Sequence, residues 1–334
     1  MAKIILGVGT SHAPQLSMSP SDWWRRVDAD KSNPELWYQG KTYNFPDLVK
    51  ARAGQHLEDQ LGPEQAEERF QACQRSIASL GETIDRVAPD VAIMFGDDQH
   101  EAFLDDNMPA ISVYWGDTID NAPHKPTERT MALGISASAW GSQPPERLTH
   151  PVDSGLGLHL IESLIGEDFD VAHSRNLLDD RHGGGVGHAF GFVYRRLMRD
   201  EVIPHVPVLL NTYYPPNQPN LKRCYKLGQA IRRAVEAWDS DKTVALIASG
   251  GLSHFVIEED LDREILAGLA EKDATKLTRH DVLRFNSGTS EIRNWVVVAG
   301  ALEETDLNFG LVDYVPCYRS EAGTGCAMAF GTWE

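Results

Sequence analysis

Short apolar runs alternate with stretches of helical periodicity along most of this 334-residue chain. Lys3–Val8, Val91–Phe95, Ala110–Trp115, Val206–Leu210 and Thr243–Ser249 have strand length, and most run into Gly, Ser, Asp or Asn, where strands commonly stop. Between the first two, Ala66, Phe70, Cys73, Ile77, Leu80, Ile84 and Val87 recur at steps of three and four. That spacing predicts one buried face of an amphipathic helix, ended by Pro89. A second helix is predicted from about Leu221 to Trp238, with Leu227, Ile231, Val235 and Trp238 on one face. A third follows Ser290, with Ile292, Trp295, Val296 and Ala299 facing inward. Strands alternating with helices predict the α/β class. Met18–Pro63 and Gly116–Asp153 are weakly periodic and read as long loops over the sheet edge. No repeat or linker divides the chain, so the expectation is one domain over 1–334 with a loop-rich insertion at 18–63.

Composition narrows the partners. Against 31 basic side chains stand 49 acidic ones, a formal charge of −18. No basic footprint for nucleic acid results, and docking on an anionic membrane is disfavoured. An acidic substrate needs its own arginine or lysine against that field. No apolar run reaches the roughly 18 residues of a spanning helix. The first residues, Met-Ala-Lys-Ile-Ile-Leu-Gly-Val-Gly, read as a strand and not as a signal peptide. Four cysteines without C-x-x-C spacing fit a reducing compartment, so the expected location is cytoplasmic. Twelve histidines are left to explain.

Metal-competent side chains fall just past predicted strands or at a helix start. They are His12 in Thr10–Pro14, the cluster Asp97-Asp98-Gln99-His100-Glu101, His254 after Gly250-Gly251, and Glu291 before the third helix. Open α/β sheets place ligands at the carboxyl ends of their strands. Alone, each is equally a turn or a cap. Together, two histidines and one carboxylate match the facial triad of non-haem Fe(II) oxygenases.

Six stretches then carry a family resemblance. They are Ser11-His12-Ala13-Pro14-Gln15-Leu16, Pro89–Ile93 with the polar cluster ending at Phe103, and Thr212-Tyr213-Tyr214-Pro215-Pro216. The others are Lys222-Arg223-Cys224-Tyr225 with the helix behind it, Gly250-Gly251-Leu252-Ser253-His254, and Glu291 with Trp295 and Gly300-Ala301-Leu302. In this order they resemble the class III extradiol ring-cleaving dioxygenases. The resemblance implies a mixed central sheet flanked by helices with the active site at the strand carboxyl ends, Fe(II) as cofactor, and cleavage of a catechol-type aromatic by O₂. It makes His12 and Glu291 iron ligands and His254 the acid/base. The ungapped register puts Gln99 on the remaining ligand, where ligand preference selects His100; Asp98 stays open. A further active-site histidine is His182 or His188. Arg223, Lys222, Arg181 and Tyr214 are candidate substrate contacts, and Trp23, Trp24 and Trp37 either wall a larger substrate or pack a homo-oligomer, a dimer being the simplest. A zinc hydrolase or lyase and a non-catalytic partner subunit are the alternative readings.

Overall fold

The computed structural model describes residues 1–124, 131 and 135–334. Its core is a nine-stranded mixed sheet. In chain order the strands of that sheet and of two small pairs are β1 (Lys3–Thr10), β2 (Leu36–Tyr38), β3 (Lys41–Tyr43), β4 (Val91–Asp97), β5 (Ile111–Tyr114), β6 (Thr118–Asn121) and β7 (Leu148–Pro151). They continue with β8 (Ala172–Ser174), β9 (His205–Leu210), β10 (Thr243–Ser249), β11 (His254–Val256), β12 (Phe309–Tyr318) and β13 (Thr324–Trp333). Across the sheet the order is β11-β13-β1-β10-β4-β9-β5-β8, with β12 on β13. β1, β10, β4 and β9 are parallel neighbours. β13 runs antiparallel to β1, β11 and β12, and β5 antiparallel to β9. The four parallel strands are covered on both faces, which is why they read as unbroken apolar runs. Their carboxyl ends share one edge, and that edge carries His12, Asp97 and Ser249.

The helix Pro63–Val87 buries Cys73, Ile77, Leu80 and Ile84, four of the seven positions its periodicity picks out. Ala88 ends it in a left-handed conformation (φ 49°), just before Pro89. Asn220 caps the helix Leu221–Ala237, its side chain accepting from the Arg223 amide. The third helix, Ile292–Leu302, follows a 3₁₀ turn at Ser287–Glu291 and is buried at all eleven positions. Its expected solvent face is absent because the sheet covers one side and Leu221–Ala237 the other.

Two further differences stand out. Strands β12 and β13 are absent from the sequence reading, although β13 joins three other strands. The segment Gly116–Asp153 lies partly outside the described residues. Its described part is not plain loop: it holds the antiparallel pair β6–β7 and a 3₁₀ stretch at Ile135–Gly141.

Residues 18–63 form the hairpin β2–β3 and two short helices, Val27–Ser32 and Phe45–Arg52. Leu36, Phe45 and Leu48 pack with Val256 and Ala322. Asp30 takes a two-pronged ion pair from buried Arg319 and a hydrogen bond from Thr324. No helix among the described residues is long and apolar enough to cross a membrane. All four cysteines are buried and free.

Candidate metal centre and active site

His12 leaves the end of β1 with its Nδ1 3.0 Å from Ser249 Oγ at the end of β10. Ser249 spends its only proton on the Ala189 carbonyl, 2.6 Å away. Its oxygen therefore accepts from His12 Nδ1–H, which leaves the His12 Nε2 lone pair facing inward. That Nε2 lies 3.3 Å from Glu291 Oε2 and 3.7 Å from Asp97 Oδ1. Neither His12 Nε2 nor Asp97 Oδ1 has a hydrogen-bond partner, and both are sealed from solvent. Unpartnered acceptors facing one another in a site sealed from water suit a cation. His12, Asp97 and His188 present ligand atoms all within 4.8 Å of one another, and Glu291 adds a second carboxylate. The donor set therefore fits a divalent metal ion.

Glu291 is held by three donors or near-donors. The Gly251 amide donates to Oε2 at 2.8 Å, the Gln99 amide to Oε1 at 3.2 Å, and His254 Nε2 lies 3.2 Å from Oε1. Burial alone would raise its pKa, but His254 and His12 outweigh it and hold the carboxyl well below the ordinary range. Asp97 moves the other way, raised by burial and by the nearby Glu291 charge. Gln99 also donates to Asp97 Oδ2 at 3.1 Å, so one amide bridges both carboxylates.

His254 is oriented by Nδ1 against the Leu252 carbonyl at 2.7 Å, which leaves Nε2 as its reactive nitrogen. Burial disfavours its charged form, yet Glu291 prevails and lifts its pKa to about 9. Two glycines make room for the ring. A Cβ at Gly251 would sit 2.8 Å from His254 Cε1, and one at Gly288 would collide with Cδ2. His188, at the first turn of a short helix after Gly187, has Nδ1 3.0 Å from both oxygens of Glu101, with Nε2 4.0 Å from Asp97. Glu101 overrides burial and lifts its pKa to about 10.

The structure thus brings His12, Glu291, His254, His188 and Gln99 together. It does not bring His100, the residue favoured by ligand preference, to them. The backbone at His100 is left-handed (φ 61°), and its ring stacks on Tyr214 with centroids 3.7 Å apart, toward exposed Asp105. Tyr214 is accordingly engaged by His100. Asp98 is occupied by the turn, accepting from the Ala102 and Phe103 amides. His182 stands one residue behind the centre, 3.7 Å from Glu101 and against His124. Arg181 bonds the Ala102 carbonyl and Asp106. Arg223 lies over Phe169 and donates to the Asp168 carbonyl, so its charge is used at the helix start and not at the centre. Asp97 and Glu101 carry more of the site than the sequence reading gave them. The available signal was a carboxylate as the last residue of an otherwise apolar, buried strand.

Comparison with known proteins bears on the same region. Residues 56–322 match the family model described as the catalytic LigB subunit of aromatic ring-opening dioxygenase. A gallate dioxygenase of Pseudomonas putida is 32% identical over 162 residues, covering 45% of each chain. A 2,3-dihydroxyphenylpropionate/2,3-dihydroxicinnamic acid 1,2-dioxygenase of Burkholderia vietnamiensis is 30% identical over 173 residues, covering 52% of this chain and 45% of its own. The corresponding enzyme of Cupriavidus necator is 29% identical over 189 residues, covering 57% and 50%. This chain matches about half the length of these relatives. With most of its residues inside the match, the chain belongs to the family of the catalytic LigB subunit of aromatic ring-opening dioxygenase.

Proposed function

We propose that this protein is an Fe(II)-dependent extradiol dioxygenase that opens the ring of a catechol-type aromatic with O₂, in the cytoplasm. The observation that carries the reading is the unshielded set of acceptors formed by His12 Nε2, Asp97 Oδ1 and Glu291 Oε2 at the strand ends. His12, Glu291 and Asp97 would hold the iron, with His188 beside them. Iron in that position supplies a Lewis acid that lowers the cost of ionising a catechol hydroxyl and a site where O₂ is activated.

The protein's own groups do the rest. Gln99 and the Gly251 amide fix the carboxylates so that their oxygens stay aimed at the centre. With the Glu291 charge taken up by a bound metal, His254 would be freed to accept a hydroxyl proton at Nε2 and return it later, because Nδ1 is committed to Leu252. Glu101 orients His188 through Nδ1, leaving Nε2 toward the reacting oxygen atoms. The relatives named for 2,3-dihydroxyphenylpropionate support a vicinal diol carrying a carboxylate as the substrate class.

Anaerobic purification, metal analysis and oxygen uptake over a panel of substituted catechols test this. One iron per chain and O₂ consumed in step with a yellow ring-opened product are expected. Bound zinc with oxygen-independent turnover would overturn the reading.

A further inference from the structure

A cavity of about 210 Å³ lies at the start of the helix Leu221–Ala237, where Lys222, Arg279, His280, Phe285 and Arg293 help to line it. It shares none of the metal-centre residues. No acidic side chain lines it, in a chain with 49 acidic residues.

Three features leave this cavity electrostatically unfinished. Arg293 is 1% exposed, and its Nε and Nη1 donate only to the backbone carbonyls of Pro219, Thr212, Phe285 and Ser290. Among the described residues no carboxylate is paired with it, and a buried guanidinium without a counter-charge is costly. His280 has a side chain 4% exposed, and its Nε2 has no hydrogen-bond partner. Its Nδ1 side faces the Lys276 backbone and Glu264 Oε2, the latter 3.9 Å away, so in the neutral ring Nε2 is an open acceptor. Finally, the seventeen-residue helix starts with Lys222 and Arg223 and has no acidic residue in its first turn. That is the reverse of what the helix dipole favours, unless an anion sits there. Arg279 is paired with Glu264, so the uncommitted charge is that of Lys222 and Arg293.

We propose that this cavity is a binding site for a small hydroxylated carboxylate with an apolar body. The carboxylate meets Arg293 Nη2, Lys222 and the Leu221 and Lys222 amides, the Arg223 amide being held by the Asn220 cap. The ligand hydroxyl donates to His280 Nε2. Leu221, Val282 and Phe285 enclose the body. Arg293 also holds the carbonyl of Ser290, the residue before Glu291, so an occupant would lie within one residue of the metal centre's carboxylate.

The test is calorimetric titration of the full chain with 3-hydroxybenzoate, beside benzoate, 3-hydroxybenzyl alcohol and inorganic phosphate. Saturable binding of 3-hydroxybenzoate is expected, at least tenfold tighter than that of the alcohol or phosphate. Lys222→Glu, an exposed change, weakens it at least tenfold, and His280→Phe removes its advantage over benzoate. His12→Ala, which disables the metal centre, leaves the binding in place. No saturable binding, binding indifferent to Lys222→Glu, equal binding of the alcohol or phosphate, or loss with His12→Ala would each overturn the proposal.

Discussion

At Gln99 one side-chain amide reaches two buried carboxylates, Asp97 and Glu291, that would otherwise repel each other. The position thus engages the centre through an amide and not an imidazole. The sequence shows which residue types lie near a strand end. It does not show that a left-handed turn at His100 sends that ring onto Tyr214. His12, His254 and Glu291 were legible because each directly abuts a regular element or a glycine pair. His254 is the residue whose loss is most informative. His254→Ala is expected to lower kcat by about 10²–10⁴-fold while the iron content of the protein stays the same. An unchanged kcat in stopped oxygen-uptake assays would remove its acid/base role. A second histidine reports on stability. His205 is buried against Tyr194, with its pKa lowered by burial to about 4, below the ordinary value of about 6.5. Between these values the unfolded chain takes up a proton that the folded chain refuses. Stability is therefore full above about pH 6.5 and lost as the pH falls toward 4, by about 2 kcal/mol at pH 5. Urea midpoints at pH 7.5 and pH 5 should show a smaller acid loss in His205→Gln, and an equal loss would refute the assignment.

At the level of elements, the two helices Leu221–Ala237 and Ile292–Leu302 meet at glycines. A Cβ at Gly228 would strike the Val297 carbonyl, and one at Gly300 the Tyr225 carbonyl. Because the second helix continues directly from Glu291, this close approach also sets where the carboxylate stands. Gly228→Ala is expected to cost about 1–3 kcal/mol through overpacking, seen as a lower urea midpoint. A midpoint within error of the parent would show that the helices part without strain. Both helices were legible from their periodicity. The hairpin β12–β13 was not, because Gly310, Pro316, Gly325 and Gly331 interrupt its pattern and only pairing with β1 and β11 makes it a strand pair. The pattern at 18–63 was weak for a related reason. Its elements are three to eight residues long, too short to display a period, and they gain their order from what they pack on.

For the molecule as a whole, that segment is tied down by charge. Asp30 engages Arg319 and Thr324 in a buried site that also contains Arg26. Removing the anion with Asp30→Asn leaves buried guanidinium unpaired, at an expected cost of about 3–5 kcal/mol. A loss under about 1 kcal/mol by urea unfolding would mean that the segment is held by Leu36, Phe45 and Leu48 instead. The alternation of strands and helices made the class of fold readable in advance. The joining of distant positions into one centre was not readable, because no local pattern encodes it. That distance has a consequence for how the protein is made. His12 and Asp97 emerge in synthesis about 190 residues or more before Glu291, the carboxylate that faces His12 across 3.3 Å. A growing chain cannot hold the complete ligand set. Capture of a cation by the full set thus waits until the segment carrying Glu291 has joined the strand ends that carry His12 and Asp97.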